Sequence, residues 1–134
     1  MVFVPLHAGL LALLFVFLSV RVIGARRSAR IPLGAADDAL LLRRMRVHAN
    51  FAEYVPLALL LLAFLEWRGA SAVLLNALCV LLLIGRGLHA YGVSQPKEDF
   101  RLRVAGMAAT FVVIGTSALL LVLGSLAALL GAGA

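Results

Sequence analysis

Four apolar stretches, divided by short polar loops, leave this chain one class of fold. Each stretch has the roughly twenty residues that a helix needs to cross a hydrocarbon core of about 30 Å. The run Leu57-Ala58-Leu59-Leu60-Leu61-Leu62-Ala63-Phe64-Leu65 has no place except membrane core. Composition agrees: of 134 residues 64% are hydrophobic, and mean hydropathy is +1.11. No soluble globular domain of this length has that balance. The expected fold is an all-α integral membrane protein, a four-transmembrane-helix bundle forming one domain over residues 1–134. Its helices are expected at about 2–25, 38–65, 71–91 and 100–130.

The formal net charge is +6. In a soluble chain that would suggest nucleic acid. Here the basic residues sit at helix ends, where they set topology and meet anionic lipid headgroups, so nucleic acid is not an expected partner. The first helix has no basic segment before it; Arg21, Arg26, Arg27 and Arg30 follow it, which reads as an uncleaved anchor rather than a signal peptide. Arg43, Arg44 and Arg46 add to the first loop region, and Arg86, Lys97, Arg101 and Arg103 mark the third, whereas the middle loop holds only Arg68. The positive-inside rule then places both basic loops in the cytoplasm and both termini outside. Compact loops rich in Ala, Leu and Arg suggest a bacterial inner membrane. The single Cys79 excludes an intrachain disulfide and reads as a small buried hydrophobe.

Against this apolar background, Arg43, Arg46, Asn50 and Glu53 are spaced by three, four and three residues. On a helix they form one stripe, with Val47, Phe51 and Val55 on the other side facing lipid or neighbouring helices. Pro56 follows and should kink the helix. An ionisable residue on a membrane helix points to function by default. Arg26, Arg27, His48, Tyr54, Arg86, His89, Tyr91 and Arg103 fall on the same cytoplasmic half. Arg86 and His89 share a face of the third helix, where Gly85 and Gly87 allow close approach; Asn76 in that helix reads as interhelical glue. Asp37 and Asp38 read as the start of the second helix. Arg101 and Arg103 open the fourth helix, where the dipole disfavours cations, which implies an anion nearby.

Two readings of these groups stand side by side. Arginines at inner helix ends serve as topology anchors, and Glu53 can pair with Arg46 or an arginine of another helix. Alternatively, many guanidinium groups with one intramembrane carboxylate hold a ligand that is mainly anionic and carries one cation. A peptide with two carboxylates and one free amine has that pattern, glutathione being the cytosolic example. The sequence contains no zinc motif, phosphate loop or nucleophile elbow, and no metal is expected.

The run Arg46-Val-His48-Ala-Asn50-Phe-Ala-Glu53-Tyr54-Val-Pro56 resembles the second-helix signature of the membrane-associated proteins in eicosanoid and glutathione metabolism (MAPEG). Val22-Ile23-Gly24-Ala25-Arg26-Arg27 is similar to that family's basic end of helix one, Arg86-Gly-Leu-His89-Ala-Tyr91-Gly92 to the end of helix three, and Arg103-Val-Ala-Gly106 to the start of helix four. The resemblance implies a homotrimer in which glutathione, as co-substrate, binds between subunits. It implies that Arg46, Asn50, Glu53 and Tyr54 hold the tripeptide, with Glu53 on its amino group. Arg26 and His48 would come from the adjacent subunit, and Arg86, His89 and Tyr91 from helix three. Arg103, with Arg27 as the other candidate and Arg101 as a competitor, would stabilise the thiolate for attack on a lipophilic electrophile arriving from the lipids. The implied activity is a glutathione transferase or peroxidase. The alternative is a non-catalytic glutathione-binding or structural membrane protein of the same fold. A small multidrug transporter would carry its glutamate in the first helix, and this chain has none there.

Overall fold

The computed structural model describes residues 2–35, 37–95 and 97–131. It contains α1 (Phe3–Ala29), α2 (Ala39–Trp67), α3 (Ala72–Ser94) and α4 (Phe100–Gly131). All four are long and apolar enough to cross a membrane. α1 continues past the expected residue 25 to Ala29, so Arg26 and Arg27 form its last turn, where cations suit the helix dipole. α2 runs unbroken through Pro56.

Short polar side chains start three of the helices. Asp38 accepts from the Leu41 N–H at 2.8 Å, and Ser71 accepts from the Leu74 N–H at 3.3 Å. Asp99 accepts from the N–H groups of Arg101 and Leu102 at 3.0 and 3.1 Å. These bonds satisfy donors that have no partner within the helix. α1 has no capping side chain of its own. The Glu66 carboxylate from the last turn of α2 takes the place of one, accepting from the backbone N–H groups of Val2, Phe3 and Val4. The sequence predicted a helix end at residue 65; Glu66 and Trp67 belong to α2, and Gly69, two residues past its end, takes a φ of +79°. There the Gly69 and Ala70 N–H groups close back on Glu66 and Leu65.

The core follows from helical spacing. Val47, Phe51, Val55, Ala58, Leu62 and Leu65 of α2 are buried against Val4, Leu11 and Leu18 of α1 and Leu75, Cys79 and Leu82 of α3. Val47, Phe51 and Val55 therefore face neighbouring helices, not lipid. α3 and α4 approach most closely, at glycines. A Cβ on Gly106 would lie 2.5 Å from the Gly85 carbonyl oxygen and 2.6 Å from the His89 nitrogen, and one on Gly92 would lie 2.8 Å from the Arg103 nitrogen. Asn76, expected as interhelical glue, is exposed on the protomer surface beside Phe3, Ala72 and Val73.

Candidate functional site

The α3–α4 approach and the stripe on α2 meet in a cavity of about 300 Å³ at the basic-loop end of the bundle. That volume is at the lower end for small-molecule sites. α2 contributes Ala39, Leu42, Arg43, Arg46 and Asn50, and α3 contributes His89 and Val93. Glu98 comes from the α3–α4 loop and Arg103 from α4. Thus three guanidinium groups stand against one carboxylate around a single space.

Arg86 lies immediately behind this wall and is fully buried, 0% exposed. Its Nη2 donates to Asn50 Oδ1 at 2.7 Å, and its Nη1 donates to Thr110 Oγ1 at 3.4 Å. The Thr110 hydroxyl in turn donates to the Gly106 carbonyl at 2.9 Å. The guanidinium also lies over the Phe51 ring, 5.5 Å from its centroid. Arginine has no acceptor, so the Asn50 amide oxygen must face it, which leaves the amide NH2 for the cavity. Among the described residues, Arg86 Nε and His89 Nδ1 are buried without a hydrogen-bond partner. A buried polar atom left unpaired is costly, and His89 lines the cavity.

Of the two arginines that open α4, Arg103 reaches the wall and bonds Glu98 at 2.8 Å. Arg101 is exposed and off the wall. Arg43 lines the cavity while donating to the Gln95 carbonyl at 3.1 Å. Glu53 is exposed on the protomer surface, and among the described residues neither it nor Arg46 has an ion-pair partner in the chain. The pairing of Glu53 with Arg46 weighed from the sequence therefore does not form within the protomer. Tyr54 packs edge-on against Phe111 of α4, with ring centroids 5.6 Å apart.

Neither Glu53 nor Tyr54 lines this cavity, and four further expected residues lie away from it. Tyr91 is 61% exposed and off the wall. His48 bonds Ser19 Oγ at 3.0 Å and stacks on Phe15 at 4.6 Å, joining α2 to α1 of its own chain. Arg26 donates to the Gly34 carbonyl at 2.8 Å and so holds the α1–α2 loop. Arg27 is exposed on a separate groove with Ile23, Arg30 and Ile31. Conversely, sequence reasoning gave no role to Glu98, Val93 or Thr110. The only signal for Glu98 was an acid five residues before Arg103.

The comparisons with known proteins agree with this architecture. Inner membrane protein YecN of Escherichia coli strain K12 is 36% identical over 121 residues, covering 90% of this chain and 88% of that protein. YecN of E. coli O6:H1 matches to the same extent. The MAPEG family profile matches residues 4–123. The chain belongs to the MAPEG family.

Proposed function

We propose that this protein binds glutathione at the Arg46–Asn50–Arg103 cavity and ionises its thiol for attack on a lipophilic electrophile. The observation that carries this reading is the charge pattern of the wall: Arg43, Arg46 and Arg103 around an Asn50 amide whose oxygen is already taken by Arg86. Apart from the Glu98 carboxylate bound to Arg103, such a wall offers donors suited to carboxylates. The free amine of the tripeptide needs an acceptor other than the paired Glu98, and Glu53 is exposed and, among the described residues, without an ion-pair partner in the protomer. That exposure suits a site shared with a neighbouring subunit in a homotrimer, to which the neighbour would bring Arg26 and His48. In the reaction the thiol releases its proton to water. The sulfur electron pair then forms a bond to the electrophilic carbon, and the leaving group departs with its bonding electrons. The homology to YecN and the arginine distribution support an inner membrane location with both basic loops cytoplasmic.

Binding of glutathione to the detergent-purified protein, followed by calorimetry, tests the reading. Glu53→Gln is expected to weaken affinity by about tenfold or more, since one charge-assisted hydrogen bond is worth about 1.5–3 kcal/mol. Undiminished binding in that variant would remove Glu53 from the site. Absence of binding by the wild type would remove glutathione.

Arg86 has a different expected signature, because it acts through Asn50. In Arg86→Met the bundle should stay as stable or gain stability, since an apolar side chain of similar size replaces a buried charge that has no carboxylate beside it. Glutathione affinity should nevertheless fall about tenfold as the Asn50 amide loses its orientation. Thermal unfolding measured beside binding separates the two effects, and a loss of both together would contradict this role.

The non-catalytic alternative has one observation in its favour. Arg103, the group that would meet the thiolate, is already paired with Glu98.

A further inference from the structure

The Arg103–Glu98 pair is a contact within the site itself. Arg103 Nη1 and Glu98 Oε1 are 2.8 Å apart, and both residues line the cavity. The pair is open to solvent, the side chains being 48% and 32% exposed. Exposed pairs of this kind are worth about 0.2–1 kcal/mol. It therefore contributes little to the fold, yet it stands on the guanidinium that the proposed chemistry uses. Glu98 lies in the short segment between α3 and α4, one residue before the Asp99 that caps α4. Its carboxylate is thus carried on an anchored turn.

We infer that Glu98 is the internal counter-ion of Arg103 and sets the pH at which a thiol held in this cavity ionises. The inference rests on the glutathione reading above. A carboxylate beside Arg103 offsets part of the positive potential that the thiolate would otherwise feel, so Glu98 holds thiolate formation back. A ligand's own anionic group can displace it at small cost, because the exposed pair is weak. The other charged or titratable groups facing Arg103 are Arg43 and Arg46 from α2 and His89 from α3, with Arg86 behind them. Arg101 of its own helix is off the wall. None of the others carries negative charge, so Glu98 alone among the wall groups opposes ionisation of the thiol.

The test is a pH titration of the ultraviolet thiolate absorbance of glutathione bound to the full-length protein in detergent. Wild type, Glu98→Gln and Asp37→Asn are compared at saturating glutathione, with binding checked separately by calorimetry. Asp37 is exposed, off the cavity wall and not paired with Arg103, so its variant makes the same change in net charge without removing the partner of Arg103. Glu98→Gln is expected to raise the thiolate-to-thiol ratio about twofold to fivefold at fixed pH, the equivalent of about 0.4–1 kcal/mol, which is the upper part of the range for exposed pairs. That moves the midpoint about 0.3–0.7 of a pH unit downward, while Asp37→Asn stays with the wild type. His89 is common to all three proteins, so its own titration cancels in the comparison. If glutathione binds and ionises in the wild type but Glu98→Gln leaves the midpoint in place, this inference is overturned and the functional reading stands. An equal shift in Asp37→Asn would overturn it too, by showing a general charge effect. No binding by the wild type overturns both.

Discussion

Replacing Arg103 with alanine is expected to lower thiolate formation and turnover by about 100-fold or more while glutathione still binds. The expectation follows from placement. Arg103 is the one α4 guanidinium on the cavity wall, and its backbone is held by a bond to the Asp99 carbonyl at 3.1 Å. Removing one positioned donor from a developing anion commonly costs about 10²–10³ in rate. Arg43, Arg46 and Asn50 remain on α2 to hold carboxylates, so affinity should change far less than rate. Steady-state kinetics beside calorimetry reads both. A parallel loss of binding and rate would make Arg103 an affinity residue instead.

Gly106→Ala is the second variant with a large expected effect, and this one acts on the fold. The added Cβ would meet the Gly85 carbonyl oxygen at 2.5 Å, the His89 nitrogen at 2.6 Å and the His89 Cβ at 2.8 Å. Those obstacles are mostly backbone, so no side-chain rotation relieves them and α3 must move from α4. Overpacking of this kind costs about 1–3 kcal/mol or more. The displaced segment carries His89 and Arg86, so the cavity wall and the Asn50 contact are displaced with it. Thermal unfolding in detergent should show a lowered midpoint, and glutathione affinity should fall as well. Gly115→Ala is the control, since its Cβ would meet nothing within 4 Å. Equal behaviour of the two variants would contradict the close α3–α4 approach.

The four helices were legible because a membrane imposes a length and a composition on each. Their packing was less so, for a physical reason. In lipid the outward face is as apolar as the core, so buried Phe51 and Leu62 look no different in sequence from exposed Leu57 and Leu60. Polar residues carried the remaining information. Arg46 and Asn50 were found from their spacing, and the same spacing placed Glu53 on a face that emerges exposed on the protomer. Arg103 was separable from Arg101 only through the family resemblance, and the structure puts Arg103 on the wall. Tyr91 read as part of the same cluster from its level on the third helix and from the family resemblance; two residues past His89 it lies on another face of the helix, exposed on the protomer. Glu66 had no readable partner, since its acceptor role depends on the chain start more than sixty residues away. Glu98 was invisible for the opposite reason: an acid in a polar loop is ordinary until its distance to Arg103 is known.

The most direct test of the central claim is the ultraviolet difference spectrum of the detergent-purified wild-type protein on mixing with glutathione. The account predicts a thiolate band at a pH where free glutathione remains a thiol, growing to saturation with ligand and absent with S-methylglutathione. Saturable binding without that band would contradict thiol activation and leave a binding protein of the MAPEG family.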